Sequence, residues 1–312
     1  MTEENTTKKT SVEKVNVSDD DVGQRIDNFL IRRFKDLPKS RIYRIIRRGE
    51  VRVNSGRIKS SYKIKAGDVL RIPPVTIRSN AGKPTKGYAE NILTSILFED
   101  KDLLVIDKPT GVAVHGGSGI NFGAIELMRA ARPDLYNLSL AHRIDRETSG
   151  CLVMTKKRSM LRFLHEKFRS GKIVKNYLAL VKGNWQFPGN VIDAPLHVQN
   201  RENGERHVRV DDAGKSSKTK VKLINQYKGF ALIRCQPLTG RTHQIRVHLN
   251  HIGFPIIGDD RYGVKSQNDK KSKKRSRKLY LHAQSLSFSD ANDNERIFVA
   301  PTPSEFESFL SK

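Results

Sequence analysis

The stretch that most constrains this chain is PPVTIRSNAGKPTKGYAEN, residues 73–91. Three prolines and two glycines sit there among polar residues, and no apolar period runs through it. Proline lacks an amide proton and glycine loses the most backbone entropy, so such a segment suits a connection between folded bodies. The 312 residues are therefore expected to form two domains. The expected boundaries are a flexible polar arm over 1–14, a small module over 15–73, a linker over 74–94 and a larger domain over 95–312.

In the small module, DVGQRIDNFLIRRF places Ile26, Phe29 and Leu30 at helical spacing. A second helix is expected in LPKSRIYRIIRRGEVRVN, with Ser40 as its cap and Gly49 as its stop. At about 100° per residue, Ile42, Ile45 and Ile46 share one side, while Arg41, Arg44 and Arg48 gather opposite. Short strands are expected in EVRVN and DVLRIP, with NSGR as a turn. From Pro38 to Arg71, 11 lysines and arginines meet only Glu50 and Asp68. That excess is larger than a solvated helix face needs and points to phosphates, with Lys39, Arg41, Arg44 and Arg48 as candidate RNA-binding residues. Tyr43 and Tyr62 are the only aromatics in that range, which favours the backbone of structured RNA over a groove that stacks single-stranded bases.

The whole chain repeats this bias: 58 Lys and Arg against 33 Asp and Glu give a net charge of +25. Such a field attracts polyanions. A membrane is the less suitable polyanion, because no run of about 18 apolar residues is present and no basic-then-apolar leader precedes the first domain. A cytoplasmic protein with a nucleic-acid partner is expected. Cys151 and Cys235 each lie within an apolar run and read as buried small side chains of a reduced protein.

The larger domain mixes strand-like runs (LLVIDKP, CLVMT, IVKNYLALV, FALIRC) with helical ones (AIELMRAAR, SMLRFLHEKFR, HQIRVHLNHI). Strands predominate and do not alternate regularly with helices, so a mixed, mainly antiparallel α+β fold is expected rather than a doubly wound sheet. The basic run VKSQNDKKSKKRSRK, 264–278, is expected to be a loop that either solubilises the chain or grips phosphates.

Three motifs in this domain could carry chemistry. AHRIDRETSG sets Asp145 between Arg143 and Arg146 in a loop anchored by the strand CLVMT. In KIVKNYLALV, alternation puts Ile173, Lys175, Tyr177, Ala179 and Val181 on one face, which makes Tyr177 a core-facing residue with a polar tip. PLTGRTHQIRVHL turns into a helix with the stripe Ile245, Leu249 and Ile252. Arg241 is expected at that helix's start, where unpaired amides favour an anion, facing a phosphate or Asp145. Other chemistries find less support. His243 and His248 diverge on a helix, and His248 and His251 share a face without a third ligand. HGGSG lacks the lysine of a phosphate loop, no GxSxG surrounds a serine, and no second carboxylate completes a glycosidase pair. What is left is a metal-free site of one carboxylate, one tyrosine and arginines.

Together, the three motifs resemble those of the pseudouridine synthases that modify large-subunit ribosomal RNA. HRIDRETSG resembles the family's aspartate motif, KNYLALV its tyrosine motif, and LTGRTHQIRVHL with the following DDRYG its arginine motif. Residues 15–73 resemble the alpha-L RNA-binding fold, so the likeness spans about Val15 to Phe309. It implies a small RNA-binding domain joined to an α+β catalytic domain that isomerises uridine without a cofactor. Asp145 would be the catalytic carboxylate, by attack on the sugar or by assisting its deprotonation. Arg241 would hold Asp145 charged, and Ile245 would contact the substrate. Tyr177 would stack on the uracil and help move the proton from carbon-5. Arg143 would fill the gap left by a flipped base, whose unstacking costs a few kcal/mol. Arg146 is expected to be structural or phosphate-facing. The partner would be large-subunit ribosomal RNA, met by a monomer. Two other readings stand beside this one: a non-catalytic ribosome-assembly protein, and a DNA-binding regulator, the latter disfavoured because no recognition helix leads into a dimerisation element.

Overall fold

A computed structural model describes residues 7–18, 21–34, 37–78, 84, 86–116, 120, 122–135, 137–200, 206–263 and 278–310. The basic run 264–278 lies outside them except for Lys278. Two compact units divide the chain, Met1–Pro84 and Thr85–Lys312.

The smaller unit packs helices Ile26–Arg33 and Lys39–Arg47 on a sheet ordered Glu13–Asn16, Val69–Ile72, Arg52–Val53, Gly56–Arg57. Ile26, Leu30, Ile42, Ile45 and Leu70 are fully buried between them. Lys39, Arg44 and Arg48 are exposed and Arg41 is half-buried. The second helix starts one residue before the expected cap. Pro38 takes the cap position without a side-chain hydrogen bond; its ring fixes φ, and its carbonyl accepts the Arg41 and Ile42 amides at 2.8 and 3.2 Å. Gly49, at φ 70°, ends the helix as expected. Thr7–Lys9 pairs with Thr76–Arg78, and Glu13–Asn16 pairs with Val69–Ile72. The described part of the expected arm 1–14 is thus largely paired strand, held by backbone bonds that its polar side chains did not announce. The far end of the expected linker likewise enters the larger unit, where Ile92 is buried in a core with Leu104, Ile125 and Met128.

In the larger unit ten strands form one sheet. Its main path runs Val191–Asp193, Lys218–Tyr227, Phe230–Pro237, Val174–Lys182, Leu281–Ser289, Ser149–Thr155, Leu103–Lys108, Ile96–Glu99. Every pairing along it is antiparallel except the short parallel one between Ser149–Thr155 and Leu281–Ser289. At the centre one row crosses four strands: Gly150 is opposite Ala283, Ala283 opposite Tyr177, and Tyr177 opposite Cys235. This row brings the three sequence motifs together. The Asp145 loop leads into Gly150, Tyr177 is in the row itself, and the strand of Cys235 leads out to the TGRT turn. The backbones at its centre approach closely. A Cβ at Gly150, where φ is 108°, would lie 2.2 Å from the Ala283 carbonyl oxygen.

Candidate active site

Asp145 sits in a loop fixed from below by Lys108. That side chain is fully buried, and its Nζ donates to the carbonyls of Pro109, Val112 and Arg146 at 2.7, 2.7 and 3.0 Å. Burial pushes the Lys108 ammonium down to about 7, while the nearby Glu147 and Asp145 charges and three accepting carbonyls favour its proton. Arg146 donates from Nε to the Gly111 carbonyl at 2.9 Å, and the Gly111 amide donates back to the Arg146 carbonyl at 3.0 Å. Arg146 therefore has a structural contact within the loop.

Above the loop lies a cleft of about 380 Å³. Asp145, Arg143, Tyr177, Lys175, Arg241, His243, Ile245 and Arg246 all line it. Every catalytic or substrate-binding residue expected from the sequence is among these. Arg143 is exposed at the cleft, whereas Ile245 is 6% exposed and anchored in the core beneath it. Burial, reinforced by the Asp145 charge, pushes the Tyr177 phenol upward and keeps it protonated. Burial also lowers the Lys175 ammonium.

The partner of Asp145 differs from the expected one. Arg241 donates from Nε to the Ser216 carbonyl at 3.1 Å. Arg246 instead places Nη1 3.4 Å from Asp145 Oδ2. The reason is where the helix begins. His243 adopts a left-handed turn, φ 52° and ψ 21°, and the helix runs Gln244–His251, so Arg241 belongs to the preceding turn. Gln244 secures that turn by accepting from Thr239 Oγ1 at 2.8 Å and from the Arg241 amide at 3.0 Å. Arg246 is 7% exposed, and its Nε and Nη2 both donate to Asp259 at 2.8 Å. Asp259 Oδ1 also accepts the Arg261 and Tyr262 amides, each at 3.0 Å. Burial would raise the Asp259 carboxyl, but Arg246 and those amides outweigh it and hold the group below the usual carboxylate range. The Tyr262 ring lies 5.1 Å from the guanidinium carbon, in cation–π contact.

His243 reaches the same carboxylate, with Nε2 3.8 Å from Asp145 Oδ2 and Nδ1 2.6 Å from the Tyr262 hydroxyl. Burial, helped by the charges of Arg246 and Arg261, outweighs the Asp145 carboxylate and pulls His243 down to about 4. His248, by contrast, is consumed inside the fold by Thr219 Oγ1 at 2.9 Å and the Ala194 carbonyl at 3.0 Å. Sequence reasoning gave no site role to Arg246, singled out DDRYG without a role for Asp259 or Tyr262, and weighed His243 only as a metal ligand. One signal was available: Gln244, Arg246 and His248 are polar residues of a short helix that buries nearly all its sides, and buried polar residues carry more information than exposed ones.

The RNA pseudouridylate synthase family profile matches residues 102–251, and the S4 domain profile matches 24–70. Ribosomal large subunit pseudouridine synthase C of Pasteurella multocida (strain Pm70) is 46% identical over 304 residues, covering 96% of this chain and 93% of that protein. The protein of the same name from Escherichia coli (strain K12) is 47% identical over 312 residues, covering 98% of each. Among solved structures, human RNA Pseudouridylate Synthase Domain Containing 4 superposes with a TM-score of 0.59 at 27% identity, over 72% of this chain and 95% of that one. With the S4 profile over residues 24–70 and 46–47% identity to those synthases over nearly its whole length, the chain belongs to the RNA pseudouridylate synthase family.

Proposed function

We propose that this enzyme isomerises specific uridines of large-subunit ribosomal RNA to pseudouridine, with Asp145 as the reacting carboxylate. The observation that carries the reading is the placement of Asp145 at the cleft floor, 3.4 Å from Arg246, beside Tyr177 in the same cleft. The names of the relatives supply the substrate class.

The reaction breaks the bond from N1 of uracil to the ribose C1′, turns the base, and joins C1′ to C5. The C5 proton leaves and N1 gains one, so atoms and electrons balance without a redox partner. Asp145 can attack C1′ or draw a proton from the sugar, and both routes need an ionised carboxylate whose position is fixed. Arg246 supplies the fixed positive charge, and Asp259 orients Arg246. Tyr177 presents a flat face to the base. Its phenol is held protonated in part by the Asp145 charge. If Asp145 bonds to C1′, that charge is consumed, the phenol gives up its proton more readily as the base turns, and the phenolate can then take the C5 proton.

Arg143, exposed at the cleft, offers a planar cation for the gap a flipped base leaves behind. The exposed Lys39, Arg44 and Arg48 of the smaller unit, with Arg41, serve as a phosphate-tracking surface. The enzyme is read as cytoplasmic and monomeric. Among the described residues no helix is long and apolar enough to cross a membrane.

Tritium release from large-subunit ribosomal RNA labelled at uracil C5 tests the reading. Release by the wild type and none by Asp145→Ala is the expected result. Intact RNA binding with no release by the wild type would turn the protein into an assembly factor.

A further inference from the structure

Both ion-pair contacts of Asp145 fall on one oxygen. Arg246 Nη1 and His243 Nε2 lie 3.4 and 3.8 Å from Oδ2. The second distance is long for a hydrogen bond, as catalytic contacts often are before substrate tightens them.

Hydrogen-bond accounting points to the imidazole nitrogen that carries the proton. The Tyr262 hydroxyl accepts the Val208 amide at 3.3 Å, which leaves its own proton to donate. Its near neighbour is His243 Nδ1, at 2.6 Å. A nitrogen that accepts this proton cannot hold one of its own in a neutral ring, so the ring proton sits on Nε2, facing Asp145. Tyr262 is itself held in place: its amide donates to Asp259, and its ring lies against Arg246.

The backbone points the same way. His243 occupies the left-handed region, at φ 52°, which residues other than glycine adopt only uncommonly, histidine, asparagine and aspartate more often than the rest. A conformation of this kind persists where the surroundings over-determine it, commonly at functional sites.

We propose that His243 is a positioning residue for the isomerisation: a neutral imidazole with its proton on Nε2 that, with Arg246, holds the Oδ2 edge of Asp145 and leaves Oδ1 as the oxygen that meets the ribose. The inference rests on Asp145 being the reacting carboxylate, as proposed above. A neutral donor suits the task because it orients the carboxylate without adding a second full positive charge beside Arg246. The low pKa of His243 agrees with a ring that is uncharged at neutral pH.

The first test is ¹⁵N NMR of the full-length protein with labelled histidine, which needs no variant. The expected spectrum shows His243 with an unprotonated Nδ1 and a protonated Nε2 at neutral pH. A proton on Nδ1, or a charged ring, overturns the proposal. The second test is kinetic. His243→Asn suits the left-handed backbone but is too short to hold an N–H at the position of Nε2, and should lower kcat for tritium release by about a hundredfold, the scale set by misplacing a reacting group by about 1 Å, with KM little changed. His243→Gln, which returns an N–H near the position of Nε2, should recover part of that rate. Tyr262→Phe should cost several-fold alone and add almost nothing to His243→Asn. Full kcat in His243→Asn, or a Tyr262→Phe effect that adds in full, overturns the assignment. If Asp145→Ala still forms pseudouridine, the underlying reading fails and this inference with it. An inactive Asp145→Ala beside a fully active His243→Asn overturns the inference alone.

Discussion

Arg246 reaches Asp145 with the one guanidinium nitrogen that Asp259 leaves over. Nε and Nη2 are both engaged by Asp259, and Nη1 faces Asp145. The fork geometry lets one cation be aimed by one carboxylate while it steadies another, which the point charge of a lysine cannot do. Arg246→Lys is therefore expected to lower kcat by about a hundredfold or more. Arg241→Gln, which disturbs a turn contact, is expected to act mainly on KM. Tritium-release kinetics on both variants separate the two roles.

Lys108 offers a prediction about stability. Replacing it with methionine fills the space but takes the donor from the Pro109 and Val112 carbonyls, while the Arg146 carbonyl keeps only the Gly111 amide. The expected loss is on the order of 3 kcal/mol, visible as a lower urea midpoint. The Asp145 loop should loosen with it, so activity should fall at temperatures where the variant is still folded.

Gly150→Ala should damage fold and site together. The added methyl would meet the Ala283 carbonyl oxygen at 2.2 Å, at a φ of 108° that alanine resists. A loss of about 3 kcal/mol or more is expected. Thermal melts check it, and Gly23→Ala serves as a control, because it also has a positive φ, 78°, but nothing lies within 4 Å of the added Cβ.

Acid should unfold the larger unit early. Burial pulls His142, His243 and His282 from 6.5 down to about 3, 4 and 4. Their native values lie below the unfolded value, so the unfolded chain binds more protons between about pH 6.5 and 4. The stability they contribute is complete above that window and is lost as pH falls through it. His142 illustrates why: its Nε2 accepts the Val153 amide at 3.0 Å, which a charged ring cannot do. Urea midpoints at pH 7.5 and 5.0 measure the slope, and His142→Gln, which keeps an acceptor, should flatten it.

The basic helix of the smaller unit predicts a salt effect. Changing Lys39, Arg44 and Arg48 to glutamine should weaken binding to ribosomal RNA and reduce the slope of log K against log salt by up to about 3, roughly one for each phosphate that is no longer neutralised. An unchanged slope in filter-binding titrations would exclude this face from the RNA grip.

Much of this was legible in the sequence where periodicity and composition speak directly. Ile42, Ile45 and Ile46 fell on the buried side of their helix, and the alternation through Tyr177, Ala179 and Val181 marked a core face that borders the cleft. The identity of the arginine beside Asp145 was not legible. It turns on the left-handed conformation of His243, which shifts the helix start to Gln244 and hands the role from Arg241 to Arg246. Histidine visits that region more often than most residues, but nothing in the sequence says that this one does. Thr7–Lys9 was missed because a three-residue strand reading TKK has no apolar alternation to mark it.

The row Gly150, Ala283, Tyr177, Cys235 has a consequence for reading incomplete chains. A product that stops before Leu281 would keep Asp145, Tyr177, Arg241, Arg246 and Asp259, and so every motif by which such an enzyme is recognised. It would lack the strand on which Gly150 and Tyr177 meet. The motif inventory of a truncated gene therefore overstates what its product can do, and the presence of residues 281–289 is the better criterion for an assembled site.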